Sequence, residues 1–178
     1  LLVCSSLNRN SGTMVREKTK MEKMLISGVA ADKNVAKIRV AGLGNDPEST
    51  FRLLNLLDRN NLNIDVMIQS LGKDGTKSVS FTVAKPDMLR TIDVLNDNKD
   101  SLGIKKLDYD ENVAKISVIG AGVRSHSGVA AKMFGALANA GINTEMVTTS
   151  EIRITALIDE GYADQAMRAI HETFLERV

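Results

Sequence analysis

We predict an α+β fold built from two similar βαββαβ units, each an antiparallel sheet with its helices on one face. Three observations predict it: an internal repeat, strand and helix patterns that recur in the same order in both halves, and a spare strand near the start. Residues 36–44 (AKIRVAGLG) return as residues 114–122 (AKISVIGAG), 78 positions later. A second echo, LNID at 62–65 and INTE at 142–145, is 80 positions apart. Self-similarity of this kind decides the architecture before any local motif is considered.

Composition excludes several classes of function. The 178 residues carry a formal net charge of +1, which gives no electrostatic reason to expect binding to nucleic acid or to an acidic membrane. No apolar run approaches the roughly 20 residues of a membrane-spanning helix. Cys4 is the single cysteine, and no Cys/His set has metal-ligand spacing. We therefore expect a protein of the reducing cytoplasm with no metal site.

The first copy alternates between the period-2 pattern of strands and the spacing of helices. Residues 35–41 place Lys37 and Arg39 on one side, the period-2 pattern of a half-buried strand, and Pro47 suits the first turn of the helix that follows. Further strands are predicted at 64–71, 77–84 and 104–109, with a hairpin turn at 72–75. The predicted apolar helix faces are Phe51, Leu54 and Leu57 in the first helix and Leu89, Ile92 and Leu95 in the helix opened by Pro86.

The second copy has the same order but lacks a last strand. Strands are predicted at 113–119, 143–149 and 152–158, and the helix faces are Val129, Met133, Leu137 and Ala140, then Ala163, Met167, Ile170 and Phe174. We expect the spare strand at 24–30 to complete this sheet. The predicted divisions are a tail and linker at 1–21, the completing strand at 22–31, a first domain at 32–111 and a second at 112–178.

Two glycine loops are the first candidate sites. Gly42-x-Gly44 and Gly120-x-Gly122 each follow a strand and precede a helix, a context that suits an anion. The dinucleotide fingerprint fails in both copies and there is no Walker A sequence, so either a small carboxylate or a purely structural turn fits. The echoed Asn63-x-Asp65 and Asn143-x-Glu145 could hold an ammonium group, or could be helix caps followed by solvated acids. His126 has no motif-placed nucleophile beside it, and the predicted strands offer too few aromatic residues for RNA recognition.

Several segments together resemble one family. They are residues 24–30 (MLISGVA) followed by 32–37 (DKNVAK), 63–69 (NIDVMIQ), 118–129 (VIGAGVRSHSGV) and 149–154 (TSEIRI). In order and spacing, over residues 22–175, they resemble the regulatory region of aspartate kinases. Residues 5–7 and 12–14 resemble the end of the kinase part, so the chain is expected to be either a separate subunit or a piece of a longer protein. The match departs from the family at Glu48 and Ser127, where glycine and proline are usual.

The resemblance implies two ferredoxin-like ACT domains, which are amino-acid-sensing folds. It implies a homodimer that binds lysine, threonine or both between chains, and a partner that is an aspartate kinase catalytic domain or alpha subunit. The chain alone is expected to be non-catalytic and to need no cofactor, since ATP and Mg would serve only the absent kinase domain. The effector residues implied in the first half are Asn45, Asp46, Pro47, Glu48, Ser49, Thr50, Asn63, Ile64, Asp65 and Gln69. Those implied in the partner's second half are Val129, Ala130, Asn143, Thr144, Ser150 and Glu151. The alternative is a stand-alone amino-acid-sensing module that regulates another enzyme or a transcription factor.

Overall fold

The computed structural model describes residues 2–3, 13–14, 26–125 and 128–175. It confirms the α+β class, with an antiparallel sheet covered by helices. The strands are β1 (Leu2–Val3), β2 (Thr13–Met14), β3 (Gly28–Leu43), β4 (Met67–Leu71), β5 (Lys77–Ala84), β6 (Lys106–Ile119), β7 (Met146–Thr149) and β8 (Arg153–Asp159). The helices are α1 (Pro47–Arg59), α2 (Met88–Asp97), α3 (Lys99–Leu102), α4 (Gly122–Ser125), α5 (Val129–Asn139) and α6 (Ala163–Leu175), and single 3₁₀ turns at Lys85–Asp87 and Glu160–Tyr162 precede α2 and α6. The predicted tail falls largely outside the described residues, which there show only β1 paired with β2.

The two repeats form one continuous sheet rather than two separate ones. Its six strands run in the order β4-β5-β3-β6-β8-β7, and every neighbouring pair is antiparallel. The groups β4-β5-β3-β6 and β3-β6-β8-β7 overlap in the two long central strands. The strands predicted at 104–109 and 113–119 are therefore a single strand, β6, which is continuous through residues 110–112. Register shifts opposite this stretch, between Asp32 and Lys37 of β3, absorb the irregularity.

The spare strand pairs with the second half. Gly28 to Asp32 lie opposite Ile119 to Lys115, on the side of β6 that does not carry β8. This is the pairing expected of the strand predicted at 24–30, although residues 24–25 lie outside the described residues and the strand continues into the first half as β3. The ladder explains why the second half needs no strand after its last helix. The limits of the two domains stay a prediction.

Each half has its own core under its helices. Ile38, Val40, Leu53, Leu57 and Phe81 belong to the first, and Ile116, Met133, Leu137, Ile158 and Ile170 to the second. The faces of the second-half helices are confirmed except at Met167, which is half-buried and lies outside the second core, and two residues predicted for the first-half faces are wrong. Phe51 is 65% exposed and Leu89 is 67% exposed. In α1 the turn of the helix instead buries Leu53 with Leu57, a spacing of four that the helical period allows equally well.

A third cluster lies on the opposite, helix-free face of the sheet. We call Val35, Val66, Val113, Met146 and Leu157 the junction cluster. Ala36 and Ala114 belong to the two helix-covered cores, and side chains alternate along a strand, so their neighbours Val35 and Val113 point to the other face. Val35 and Val113 are 78 positions apart and Val66 and Met146 are 80 apart, the two offsets of the repeat. The halves therefore meet on this open face about a local two-fold relation.

Candidate functional site

The two sets of implied effector residues lie beside opposite edges of the sheet. β4 is one edge strand and β7 is the other. Asn63, Ile64 and Asp65 lead into β4, which contains Gln69. Asn143 and Thr144 lead into β7, and Ser150 and Glu151 form the turn after it. An edge strand presents backbone groups to an approaching chain, so both sets lie where a second copy could dock.

The first glycine loop is closed by its own side chains. Asp46 is the N-cap of α1, and its carboxylate accepts from the backbone N–H of Glu48 at 3.0 Å. The Ser49 hydroxyl donates to the carbonyl oxygen of Gly44 at 2.5 Å, and this side chain is buried. Desolvation acts to raise the pKa of Asp46, but backbone hydrogen bonds and the Arg52 charge outweigh it and hold that pKa below its usual range. A carboxylate of the protein thus already occupies the N-terminus of α1.

A hydrogen bond links α1 to the edge strand. The Thr50 hydroxyl donates to the side-chain oxygen of Gln69 at 2.6 Å. This contact fixes the orientation of Gln69 and leaves its amide nitrogen directed away from Thr50. Of the remaining residues in the first loop, Asn45, Pro47 and Glu48 are exposed.

The second glycine loop is built differently. The offset of the repeat grows from 78 to 80 across this loop, which is therefore two residues longer than the first. The short helix α4 accommodates the added length, and Gly128 then takes a left-handed conformation with φ of 103°. Gly128 is the N-cap of α5, and a glycine has no side chain with which to cap the helix. Val129 is buried and packs in the second core, whereas Ala130 is exposed. His126 and Ser127 lie outside the described residues.

Two ion pairs cross between the repeats in a reciprocal way. The Lys37 ammonium of the first half contacts the Glu145 carboxylate of the second. The Lys115 ammonium of the second half contacts the Asp65 carboxylate of the first. Lys37 and Lys115 are 78 positions apart and Asp65 and Glu145 are 80 apart, so the pairs are equivalent under the repeat. The acids that the sequence suggested for an ammonium group are thus each occupied by a lysine of the other half.

Lys115 has a second acidic partner. Its ammonium also lies 3.1 Å from the Asp32 carboxylate, and its side chain is 13% exposed. Burial by itself would lower the pKa of Lys115, but the hydrogen bonds and charges of Asp65 and Asp32 outweigh it and raise that pKa above its usual range. Lys115 is therefore a permanent cation at the centre of the open face.

A cavity of about 430 Å³ opens beside Lys115 on the helix-free face. Its lining combines both repeats and includes Asp65 and Ser150, one residue from each implied set. The other lining residues are Ala30, Ala31, Asp32, Val66, Met67, Lys115, Ser117, Ile119, Thr148, Arg153 and Thr155. A smaller cavity of about 300 Å³ shares Asp32, Asp65 and Lys115 and adds Asn63 and Ile64. The larger volume lies in the range of small-molecule sites.

Sequence reasoning missed most of this lining. It identified Lys37 only as a polar-face residue and gave no role to Lys115, Arg153 or Thr155. The available signal was the repeat itself, because a lysine and an acid recur at equivalent positions in both copies. What could not be deduced is that each lysine pairs with the acid of the other copy.

Two searches of the described residues were negative. No group of three or more His, Cys, Asp or Glu side chains among them could hold a metal ion. No helix in the described ranges is both long and apolar enough to cross a membrane.

Comparisons with known proteins agree on one family. An ACT-domain family model matches residues 116–174. The chain is 36% identical over 177 residues to an aspartokinase of Pseudomonas aeruginosa and 38% identical over 180 residues to one of Helicobacter pylori. It is covered to 98% in both cases but spans only 43% and 44% of those relatives, less than half their length.

Two solved structures match this chain over nearly the whole of their own length. A structure of aspartokinase alpha and beta subunits is 42% identical with a TM-score of 0.78, covering 84% of this chain and 98% of the matched one. The ligand-free regulatory subunit of aspartate kinase from Thermus thermophilus is 32% identical with a TM-score of 0.79, covering 84% and 99%.

Proposed function

The chain belongs to the aspartokinase family, and on this premise we propose that it is the amino-acid-sensing regulatory region of an aspartate kinase. In this proposal it binds lysine, threonine or both and mediates feedback inhibition of aspartate-family amino acid biosynthesis in the cytoplasm. The phosphotransfer reaction, with its ATP and Mg, belongs to the catalytic part of the parent protein. In this proposal the chain alone is non-catalytic.

The observation that supports the proposal most is the position of the two implied sets at opposite sheet edges. Residues 63–69 lead into or belong to β4, residues 143–151 do the same for β7, and these are the outer strands of the six-stranded sheet. A second copy related by a two-fold axis can bring the first set of each chain against the second set of the other. An effector held there would contact both chains, which gives two equivalent sites in a symmetric dimer.

Exposure divides the implied residues by the role they can have. Asn63, Asn143, Thr144 and Ser150 are exposed, so their side chains can reach a ligand. Ser49 and Val129 are buried, so these two shape the loop and the start of α5 instead. The N-cap of α5 is a glycine, so the N-cap residue itself offers no side chain to compete with an effector carboxylate at this helix end. At α1 the Asp46 carboxylate already fills that role.

In this proposal regulation follows because effector binding and association of the chains are thermodynamically linked. A ligand held between two chains favours the associated state by mass action. Effector-stabilised pairing would then bias the attached catalytic domains or alpha subunits toward an inactive arrangement.

The test combines calorimetric titration of lysine and threonine with sedimentation. We expect one or both amino acids to bind and to shift the chain toward the dimer. Asn63→Ala and Asn143→Ala should each weaken binding by about 1–3 kcal/mol, the value of a polar contact to a charged ligand. Asn96→Ala, an exposed asparagine in α2, is the matched control and should bind normally. Tight binding to a monomer, with full affinity in both variants, would remove the interface site from consideration.

A further inference from the structure

We propose that the cavity on the open face is a second binding site, formed within one chain, for a small zwitterion whose carboxylate and ammonium are separated by a short chain. No residue of this site comes from a partner subunit. It shares Asp65 and Ser150 with the residue sets of the site between chains proposed above, but all of its lining lies within one chain.

The lining is organised in three rows that run across the sheet. Residues that pair in register share a face, so the strand pairings define the rows directly. The first row holds Asp32 and Lys115, with Asp65 reaching in from the other half. The middle row holds Ser117, Thr155 and Thr148, and the last row holds Ile119 and Arg153.

The first row has an excess of negative charge. Two carboxylates, Asp32 and Asp65, share the single Lys115 ammonium. Their side chains are 48% and 58% exposed, so oxygen lone pairs remain accessible from the cavity. A carboxylate offers about four acceptor sites, and one shared lysine cannot satisfy those of both acids. This end is therefore suited to a second ammonium group.

The last row carries the opposite charge. Arg153 is exposed at the start of β8, directly after the turn closed by the Ser150 N–H to Arg153 carbonyl hydrogen bond of 2.7 Å. Within the described part of the chain, the Arg153 guanidinium has no ion-pair or side-chain hydrogen-bond partner. A guanidinium presents a planar set of donors that matches a carboxylate. This end is therefore suited to a carboxylate.

The middle row supplies a polar floor. The Ser117 and Thr155 hydroxyls are hydrogen-bonded to each other at 2.8 Å and are buried. Each hydroxyl has one donor and two acceptor positions, so the pair retains bonding capacity toward the cavity. Four residues along a strand separate the first row from the last, a rise of about 13 Å that the long Lys115 and Arg153 side chains shorten. The charge separation thus favours an extended zwitterion over an α-amino acid bound through its α-groups.

The experiment uses a ligand series that varies only this separation. Glycine, 4-aminobutyrate and 6-aminohexanoate are titrated into the ¹⁵N-labelled chain, alongside hexanoate and hexylamine, which each lack one charge. We expect the amide signals of Ser117 and Thr155 to shift with one of the longer amino acids, which should bind at least about tenfold more tightly than glycine or either singly charged analogue. Glycine carries the paired α-groups of lysine and threonine, whereas 4-aminobutyrate and 6-aminohexanoate lack them, so preferential binding of a longer amino acid is not expected of the site between chains.

Substitutions at each end of the cavity test which end binds the ligand ammonium and which binds its carboxylate. Arg153→Gln and Asp32→Asn should each weaken binding about tenfold, and Arg153→Lys, which keeps the charge, should retain part of it. Lys73→Gln, in the exposed β4–β5 turn, should leave binding unchanged. The proposal is overturned by the absence of any shift at about 10 mM ligand, by equal binding of 6-aminohexanoate and hexanoate, or by full affinity in Arg153→Gln.

Discussion

The two halves of the chain repeat one architecture but treat their shared open face differently. In the second half the Lys115 side chain is 13% exposed and contacts two carboxylates. The side chain of its first-half counterpart, Lys37, is 24% exposed, and among the described residues it forms an ion pair only with Glu145. Two strand positions further on, the second half has Ser117, which is buried against Thr155. The equivalent first-half residue is Arg39, whose side chain is 50% exposed and lies 4.0 Å from Asp108.

The difference shows where the repeat has diverged. The second half directs polar groups inward, against the junction cluster and the cavity. The first half keeps the same strand face in contact with solvent. Backbone topology is common to both, so side chains at a few equivalent positions determine which half can line a binding site.

The largest expected effect comes from removing the start of β3, which completes the second half. A chain lacking residues 1–31 loses the segment of β3 that pairs with residues 116–119 of β6, and with it Ile26 of the second core. We expect hydrogen exchange to accelerate across 113–178 far more than across 35–104, because the second half would lose this part of its ladder and gain an open edge. A chain that begins at residue 26 is the control and should exchange normally. Unchanged protection of the second half in the shorter chain would contradict the topology.

The buried hydroxyl pair gives the next largest effect. Thr155→Val leaves the Ser117 hydroxyl buried without its partner and should lower the free energy of unfolding by about 1–3 kcal/mol. The double variant Ser117→Ala/Thr155→Val removes both groups and should recover much of that loss. Ser80→Val, the half-buried residue opposite Arg39, should change stability by no more than about 0.5 kcal/mol. Urea titration measures all three, and equal losses at Thr155 and Ser80 would refute the comparison.

The two lysines should differ by a smaller amount. Lys115→Met removes contacts with two acids and should lower the free energy of unfolding by about 1 kcal/mol, whereas Lys37→Met should lower it by about 0.5 kcal/mol. Both acids of the Lys115 site stay partly hydrated, which keeps the loss modest. Chemical denaturation at low salt is the measurement, and a larger loss at Lys37 would invert the order proposed here.

The smallest effect is a dependence on alkaline pH. The folded-state pKa of Lys115 is raised, so the stabilisation from its ion pairs is complete below the unfolded lysine pKa of about 10.4 and is lost as the pH rises through the higher folded-state value. The stability difference between the natural chain and Lys115→Met should therefore be constant from neutral pH to about pH 10 and shrink above it. A difference that shrinks between pH 7 and 9 would show that another group controls the contact.

The sequence predicts the fold better than it predicts the site. The repeat, the strand alternation and the missing last strand lead to the topology, including the pairing of residues near 28 with β6. The starts of β4 and β7 are less predictable, because the β-branched residues Ile64 and Thr144 continue the strand pattern although the strands begin only at Met67 and Met146. Phe51 and Leu89 show that an apolar residue at helical spacing need not face the core.

The cavity could not be predicted because it depends on contacts between distant repeats. Lys115 is 50 residues from Asp65 and Lys37 is 108 residues from Glu145. Nothing local distinguishes these lysines from solvated strand residues, and only the crossing of the two halves on the open face brings each beside the other half's acid. By contrast, the N-cap role of Asp46 follows from its place just before Pro47, and the structure places it there.

Complementation between two chains with weakened effector binding tests the central claim most directly. If each effector site takes Asn63 from one chain and Asn143 from its partner, an Asn63→Ala chain paired with an Asn143→Ala chain regains one intact site and carries one doubly altered site. Calorimetry of the remixed variants should then show about one quarter of all sites binding lysine or threonine with natural affinity, given random pairing into symmetric dimers. If each site lies within one chain, mixing restores no binding at all, and that result would contradict the account.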